Sequence, residues 1–220
     1  MSLLEIDSIQ KFHKQHELLN SIYLQINTND IIAIVGRSGS GKTTLFDVIF
    51  GSKESEQKFI RLDGIVKNNA FEIKEGLGFA TQFNHFPKFL KVKNLIRLFF
   101  KNKSENDIFI NDPEIEKILN FRIKNLSYGI QRYLQIKIYL FSNNKFCILD
   151  EPFAGLSPLL IDKISNFIVE QSKNKGIIIS DHQYDYVLKI STKNYYLKDG
   201  HLFSFEKKNE LINLGYINKF

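Results

Sequence analysis

Apolar and polar positions alternate between two regimes along this chain. Three short runs are apolar almost without interruption: Asp30-Ile31-Ile32-Ala33-Ile34-Val35, Phe146 to Asp150, and Gly176-Ile177-Ile178-Ile179-Ser180. Runs of that length, rich in β-branched residues, predict strands covered on both faces, as in a central parallel sheet. Leu3 to Ile9 and Ser21 to Ile26 alternate only in part, which predicts strands in a β-rich N-terminal region. Gly76 to Gln82 reads as a further short strand. Asp63-Gly64 is a turn signal within 59–65, and Asp199-Gly200 predicts a hairpin over Tyr195 to Phe203. Helical stretches fall between these runs. Thr43 to Phe50 ends at Gly51, Ser127 opens a helix running to about Phe141, and Ile161 to Lys173 forms another. From Phe83 to Asn125 the apolar positions change to helical spacing, with Leu95, Ile96 and Phe99, then Ile115, Ile118 and Leu119. There Asp112-Pro113 reads as an N-cap followed by proline at the first helical position. The stretch is predicted to be a small helical insert. Glu206 to Phe220 is a basic, aromatic-ended tail. Strands alternating with helices predict an α/β core with a mainly parallel sheet.

Composition narrows this picture in a few places. The 220 residues suffice for one large domain or two small ones. A single cysteine, Cys147, excludes a disulfide framework and suits a reducing compartment. The opening Met1 to Asp7 is acidic and lacks the basic region of a secretory signal. No apolar run approaches the ~20 residues needed to span a bilayer. The net charge of +6 has two readings. It is either spread over a solvated surface, or it draws the chain to phosphates or an anionic membrane surface. No dense Lys/Arg block or reader motif is present, so no nucleic-acid partner is expected.

The chemistry begins at Gly36-Arg37-Ser38-Gly39-Ser40-Gly41-Lys42-Thr43, which fits G-x-x-x-x-G-K-[ST] between a strand and a helix. Glycines let successive backbone N–H groups face an anion, and the helix that follows directs its positive end at phosphates. Lys42 supplies a point charge, and the Thr43 hydroxyl is a candidate Mg²⁺ ligand. Asp150 closes a buried strand, the place where α/β sheets put ligand groups, and is a second candidate for Mg²⁺. Glu151 follows it and is a candidate general base toward the attacking water.

A third motif, Leu126-Ser127-Tyr128-Gly129, precedes Cys147-Ile148-Leu149-Asp150-Glu151-Pro152. With the glycine loop, this ordered set resembles the ATP-binding-cassette (ABC) ATPases over nearly the whole chain. The resemblance implies a P-loop NTPase core with a mainly parallel sheet, an N-terminal antiparallel β subdomain and a short α-helical insert. It implies one ABC ATPase domain over 1–220. Residues 1–82 and 128–205 form the core, 83–127 the helical subdomain and 206–220 the tail. It assigns ATP to Gly36, Arg37, Ser38, Gly39, Ser40, Gly41, Lys42, Thr43 and Thr44. Mg²⁺ falls to Thr43, Gln82 and Asp150, and catalysis to Glu151, His182, Gln82 and Lys42. Ser127, Gly129 and Gln131 are similar to the signature residues that serve ATP held by a second copy. Phe12 or His13 stands where an aromatic stacks on adenine.

The implied partners are transmembrane permease subunits and a second ATPase subunit, identical or not. The implied location is cytoplasmic, on the inner face of the cell membrane. Asn125-Leu126-Ser127-Tyr128-Gly129 is similar to branched-chain amino-acid importer ATPases. Asp150 to Gly155, Ser180-Asp181-His182 and the late Asn213-Leu214-Gly215-Tyr216 look like lipopolysaccharide-export ATPases. The chain departs from the family at Tyr128, at Ser157 where an Asp is usual, and in the 45 positions from Gln82 to Ser127, a short helical subdomain. A soluble ABC ATPase without a membrane partner, a P-loop kinase or regulatory module, and a weakly hydrolysing cassette are the competing readings. Phe83, Phe86, Phe89 and Leu90, expected to be exposed, either receive a transmembrane coupling helix or form the insert's own core.

Overall fold

The computed structural model describes residues 1–67 and 76–216. The expected tail therefore passes outside the described residues at its last four positions, and 68–75 of the expected core also lie outside them. Two sheets carry the fold. The first is antiparallel and built from β1 (Leu3–His13), β2 (His16–Asn27), β4 (Gln57–Leu62) and β5 (Ile65–Lys67), in the order β2-β1-β4-β5. The second contains β3 (Ile31–Val35), β6 (Leu77–Ala80), β7 (Phe146–Asp150), β8 (Gly176–Ser180), β9 (Lys193–Lys198) and β10 (His201–Phe205). Its order is β10-β9-β3-β8-β7-β6, parallel throughout except for the β9/β10 hairpin.

The uninterrupted apolar runs do what their composition requires. In β3, Ile31 and Ala33 face one core while Ile32 and Ile34 face another. Cys147 and Leu149 oppose Phe146 and Ile148 in the same way, as Ile177 and Ile179 oppose Ile178. One face of the sheet is covered by α1 (Lys42–Phe50) and the antiparallel sheet. The other is covered by α5 (Tyr128–Phe141), α6 (Pro158–Ser172), α7 (Tyr184–Ile190) and the insert. The insert comprises α2 (Val92–Phe99), α3 (Lys103–Ile110), α4 (Pro113–Glu116) and a 3-10 turn at Ile123–Asn125. A last short helix, α8 (Glu210–Asn213), buries Leu211 against Val35, Tyr196 and Phe205.

Several boundaries differ from the sequence pattern, each for a local reason. The first two strands are longer than their alternation predicts. Ser8 (φ 53) and Ser21 (φ 48) enter the left-handed region, and register shifts break the pairing nearby, so the strict period of two is lost while the ladder continues. The sixth helix starts at Pro158 rather than Ile161, because proline is preorganised for the first helical turn. Helix α4 stops after four residues, so Ile118 and Leu119 pack as half-buried turn residues rather than helical ones. The four apolar residues after Gln82 divide. Phe83 and Phe89 are exposed, whereas Phe86 and Leu90 pack on the helical-side core. Phe86 lies 5.8 Å from the Phe99 ring and 6.2 Å from Tyr139, so for these two the core reading replaces the exposed one.

Candidate functional site

Four loops at the carboxyl ends of neighbouring parallel strands build one site, where open α/β sheets place ligands. After β3, residues 36–41 curl into α1. Gly41 has φ +100, and a Cβ there would meet the Leu18 and Leu19 side chains at 3.2 and 3.3 Å. At Gly36 a Cβ would lie 2.9 Å from the Leu197 carbonyl oxygen. Only glycine makes both approaches possible. Lys42 is buried, and its Nζ donates to the carbonyls of Gly36 at 2.7 Å and Arg37 at 3.1 Å. The ammonium thus sits inside the curl of its own loop. Burial pulls its pKa down, against the pull of the nearby Asp150 and Glu151 carboxylates.

After β7, Asp150 is 1% exposed and accepts a 2.9 Å bond from Thr43 Oγ1. Burial pushes its pKa up to about 6, which the Thr43 bond only partly opposes. Glu151 takes φ 54, a left-handed conformation costly for a residue with a Cβ, and its N–H donates to the Ser180 carbonyl at 2.6 Å. That twist turns its carboxylate toward two neighbours. Gln82 Nε2, from the loop after β6, donates to Glu151 Oε2 at 2.9 Å. His182 Nε2, from the loop after β8, lies 3.1 Å from Glu151 Oε1. Asp181 holds this last loop by accepting from the N–H groups of Phe153 and Gln183, each at 2.8 Å.

These groups line a cleft of about 310 Å³. Lys42, Thr43, Thr44, Ser38, Gly39 and Gly41 form one wall, and Gln82, Glu151 and His182 form the other. Leu18 of β2 supplies the apolar edge. The expected loop residues Arg37 and Ser40 open instead on a neighbouring cleft of about 290 Å³, where the Arg37 guanidinium donates to the Gly215 carbonyl at 2.6 Å. Phe12 and His13 stand at the end of β1, opposite Glu17 and His16, outside the lining of the first cleft. The apolar wall there belongs to Leu18. Ser127, Gly129 and Gln131 are also outside that lining. Ser127 caps α5 by accepting from Ile130 N–H, and Gln131 bonds the Leu126 carbonyl. Gly129 lies against Gly155, whose carbonyl oxygen would be 2.6 Å from a Cβ. Ser157 is the exposed N-cap position of α6.

Two positioning residues escape sequence reasoning. Arg132, buried in α5, donates to the carbonyls of Thr81, Gln82 and Asp150 and to Gln135 Oε1. Gln135 donates in turn to the Thr81 and Phe83 carbonyls at 3.3 and 3.2 Å. One helix thereby fixes the backbone on both sides of the cleft's catalytic wall. The available signal was an Arg and a Gln three apart on an otherwise apolar helical face, a spacing that puts both on one side.

The side chains at Thr43, Asp150 and Gln82 suit Mg²⁺. They present hard oxygen donors, and the Asp150 carboxylate is buried with its ionised form disfavoured, which a divalent cation would reverse.

The profile of the family described as ABC transporter matches residues 19–154. The chain is 26% identical to the lipopolysaccharide export system ATP-binding protein LptB of Haemophilus influenzae, over 97% of this chain and 94% of that protein. It is 23% identical to the protein of the same name from Escherichia coli K12, over 100% of this chain and 96% of that one. A solved structure described as the ATP-binding subunit of an ABC transporter superposes with a TM-score of 0.85. It shares 19% identity and covers 99% of this chain and 95% of that one.

Proposed function

The chain belongs to the ABC transporter family as an ATP-binding, ATP-hydrolysing cassette, and from that premise we propose that it powers transport through separate membrane subunits. The observation that carries the chemical part is the convergence of Lys42, Glu151, Gln82 and His182 on one cleft from four adjacent strand ends.

The proposed division of labour follows from the geometry. The loop amides and Lys42 bind the triphosphate, and the α1 N-terminus faces its charge. Phosphoryl transfer to water needs positioning and charge stabilisation more than covalent chemistry. Glu151 accepts the proton of the attacking water, held in aim by Gln82 and His182. Thr43, Asp150 and Gln82 would hold Mg²⁺, which supplies neutralisation of phosphate charge when bound. Phe12 or His13, at the end of β1, is proposed to stack on adenine beyond this cleft, whose apolar edge is Leu18. No helix among the described residues is long and apolar enough to cross a membrane.

We take 1–220 as one cassette, with a core of 1–82 and 128–205, a helical subdomain of 83–127 and a tail of 206–220. Ser127 and Gly129 are proposed to complete the ATP site of a second copy, in a two-fold arrangement that closes on the triphosphate and reopens after hydrolysis. Exposed Phe83 and Phe89 flank the proposed permease docking site. The names of the two relatives favour lipopolysaccharide or a related lipid as cargo over branched-chain amino acids.

Two measurements test this. Lys42→Ala should abolish binding of a fluorescent ATP analogue in the presence of Mg²⁺; unchanged affinity would refute the loop's role. Tagged chain isolated from its native membranes in mild detergent should bring down a polytopic permease. Recovery with ribosomes, or alone at good expression, would refute the transport reading.

A further inference from the structure

The surplus positive charge of this chain is not spread evenly. Residues 83–104 contain Lys88, Lys91, Lys93, Arg97, Lys101 and Lys103 and not one carboxylate, and 119–125 adds Arg122 and Lys124 under the same condition. The fold brings the two segments together. Lys91 and Arg122 face each other across an antiparallel bridge. Val92 N–H donates to the Phe121 carbonyl, Ile123 N–H to Leu90, and Lys124 N–H to Lys88, at 3.0, 3.0 and 3.1 Å. Like charges directly opposite each other are destabilising, and this ribbon sets Lys91 against Arg122 and Lys88 beside Lys124.

Lys88, Lys91, Arg97, Lys101, Lys103, Arg122 and Lys124 are all exposed, and none joins an ion pair among the described residues. Cations elsewhere are often paired, as Arg61 is with Glu5 and Asp7, or Lys193 with Asp30. Helix α2 continues the same surface. It buries Val92, Leu95 and Ile96 and leaves Asn94, Arg97 and Leu98 outward. Large apolar side chains stand among the charges, with Phe89 71% exposed, Leu98 64% and Phe121 52%.

We propose that this basic, aromatic-studded face of the helical subdomain binds the anionic headgroup surface of a lipid bilayer directly. No carboxylate among the described residues pairs with these ribbon cations, and a sheet of phosphodiester headgroups supplies opposite charge over an area wide enough to meet cations on several segments. Each Lys or Arg near such a surface adds a favourable increment, and Leu98 and Phe121 can sit at headgroup depth. Direct lipid contact gives the chain an affinity for the membrane that does not pass through a permease. It would also set the orientation in which Phe83 approaches the docking site.

The test uses the purified full chain with no permease present, so its outcome is separate from that of the transport reading. Co-sedimentation is measured with vesicles of phosphatidylcholine alone and with vesicles that also contain phosphatidylglycerol. Binding is expected only to the latter and should weaken as salt rises. Combined Lys88→Gln, Lys91→Gln, Arg97→Gln, Arg122→Gln and Lys124→Gln changes should lower that binding by roughly a hundredfold or more. A variant that neutralises Lys14, Lys67, Lys173, Lys189 and Lys207 removes as many charges from elsewhere and should bind nearly as wild type does. ATP binding should be unchanged in both variants, which shows that they are folded. Equal losses in the two variants, or wild-type binding no stronger to anionic than to neutral vesicles, would overturn the proposal. So would capture only when an acidic permease segment is added.

Discussion

Glu151→Gln is expected to bind ATP as wild type does and to lose steady-state turnover by about a thousandfold, within the range that general-base removal usually costs. The substitution keeps the size of the side chain and one oxygen, so the 2.9 Å contact from Gln82 can persist with the amide oxygen accepting. The lost property is the ability to take a proton. The backbone at Glu151 adds a second expectation. Its φ of 54 is held by the Ser180 carbonyl accepting from the Glu151 N–H, not by the side chain, so the variant should keep the loop in place. If Glu151→Gln also closes the proposed two-fold assembly and cannot reopen it, ATP should shift the variant alone to a stable dimer in size-exclusion chromatography. Turnover within a few-fold of wild type would remove Glu151 from the base role and leave His182, 3.1 Å away, as the group to test next.

The parallel core was legible because its strands are buried on both faces. Ile31 to Val35 and Ile177 to Ile179 need no partner information to be read as central strands, and the glycine loop sits where strand meets helix. The antiparallel sheet was less legible. Bulges at Ser8 and Ser21 interrupt the alternation that marks a half-buried strand. The cleft divides along the same line. Lys42, Thr43, Gln82, Asp150, Glu151 and His182 follow strand ends, and the fold brings them close together. Leu18 was missed because its position on the wall depends on how the antiparallel sheet docks, a tertiary fact with no local signature. Arg132 was missed because its bonds beyond its own helix go to backbone carbonyls, which every residue has. The split among Phe83, Phe86, Phe89 and Leu90 likewise depends on which side chains meet Tyr139 and Phe99 of distant or neighbouring helices.

Lys137→Met should cost about 3–5 kcal/mol, the usual result of stripping one partner from a buried ion pair. Lys137 is 2% exposed on α5, and its Nζ lies 2.6 Å from Asp112 Oδ2. It also donates to the Phe109 carbonyl at 2.9 Å and sits between the rings of Phe109, Phe141 and Phe167. Methionine fills a similar volume, so the change removes the ammonium together with its bond to the Phe109 carbonyl and its cation–π contacts while leaving little cavity. Asp112 would remain buried with Tyr133 Oη, at 2.6 Å, and the Glu114 N–H at 3.0 Å as its donors. The melting midpoint should fall on the order of 10 °C. Adding Asp112→Asn removes the orphaned charge and should recover much of the loss; no recovery would mean that the packing, not the pair, holds this region. The pH dependence has a definite sign. Burial opposes ionisation of Asp112, but the Lys137 ammonium and the Tyr133 hydroxyl outweigh it and hold the carboxyl below its ordinary value. Its contribution is therefore present above the unfolded carboxylate value of about 4 and fades as pH falls through the folded one. Urea midpoints of wild type and Lys137→Met should differ widely at pH 7 and converge in acid; a gap that stays constant with pH would exclude the pair as its source. The helix that anchors the insert through Lys137 also carries Arg132, which grips the backbone at Gln82 and Asp150. Loosening the pair should therefore reach ATP turnover as well as stability, because insert and cleft are fastened to the same 14-residue helix.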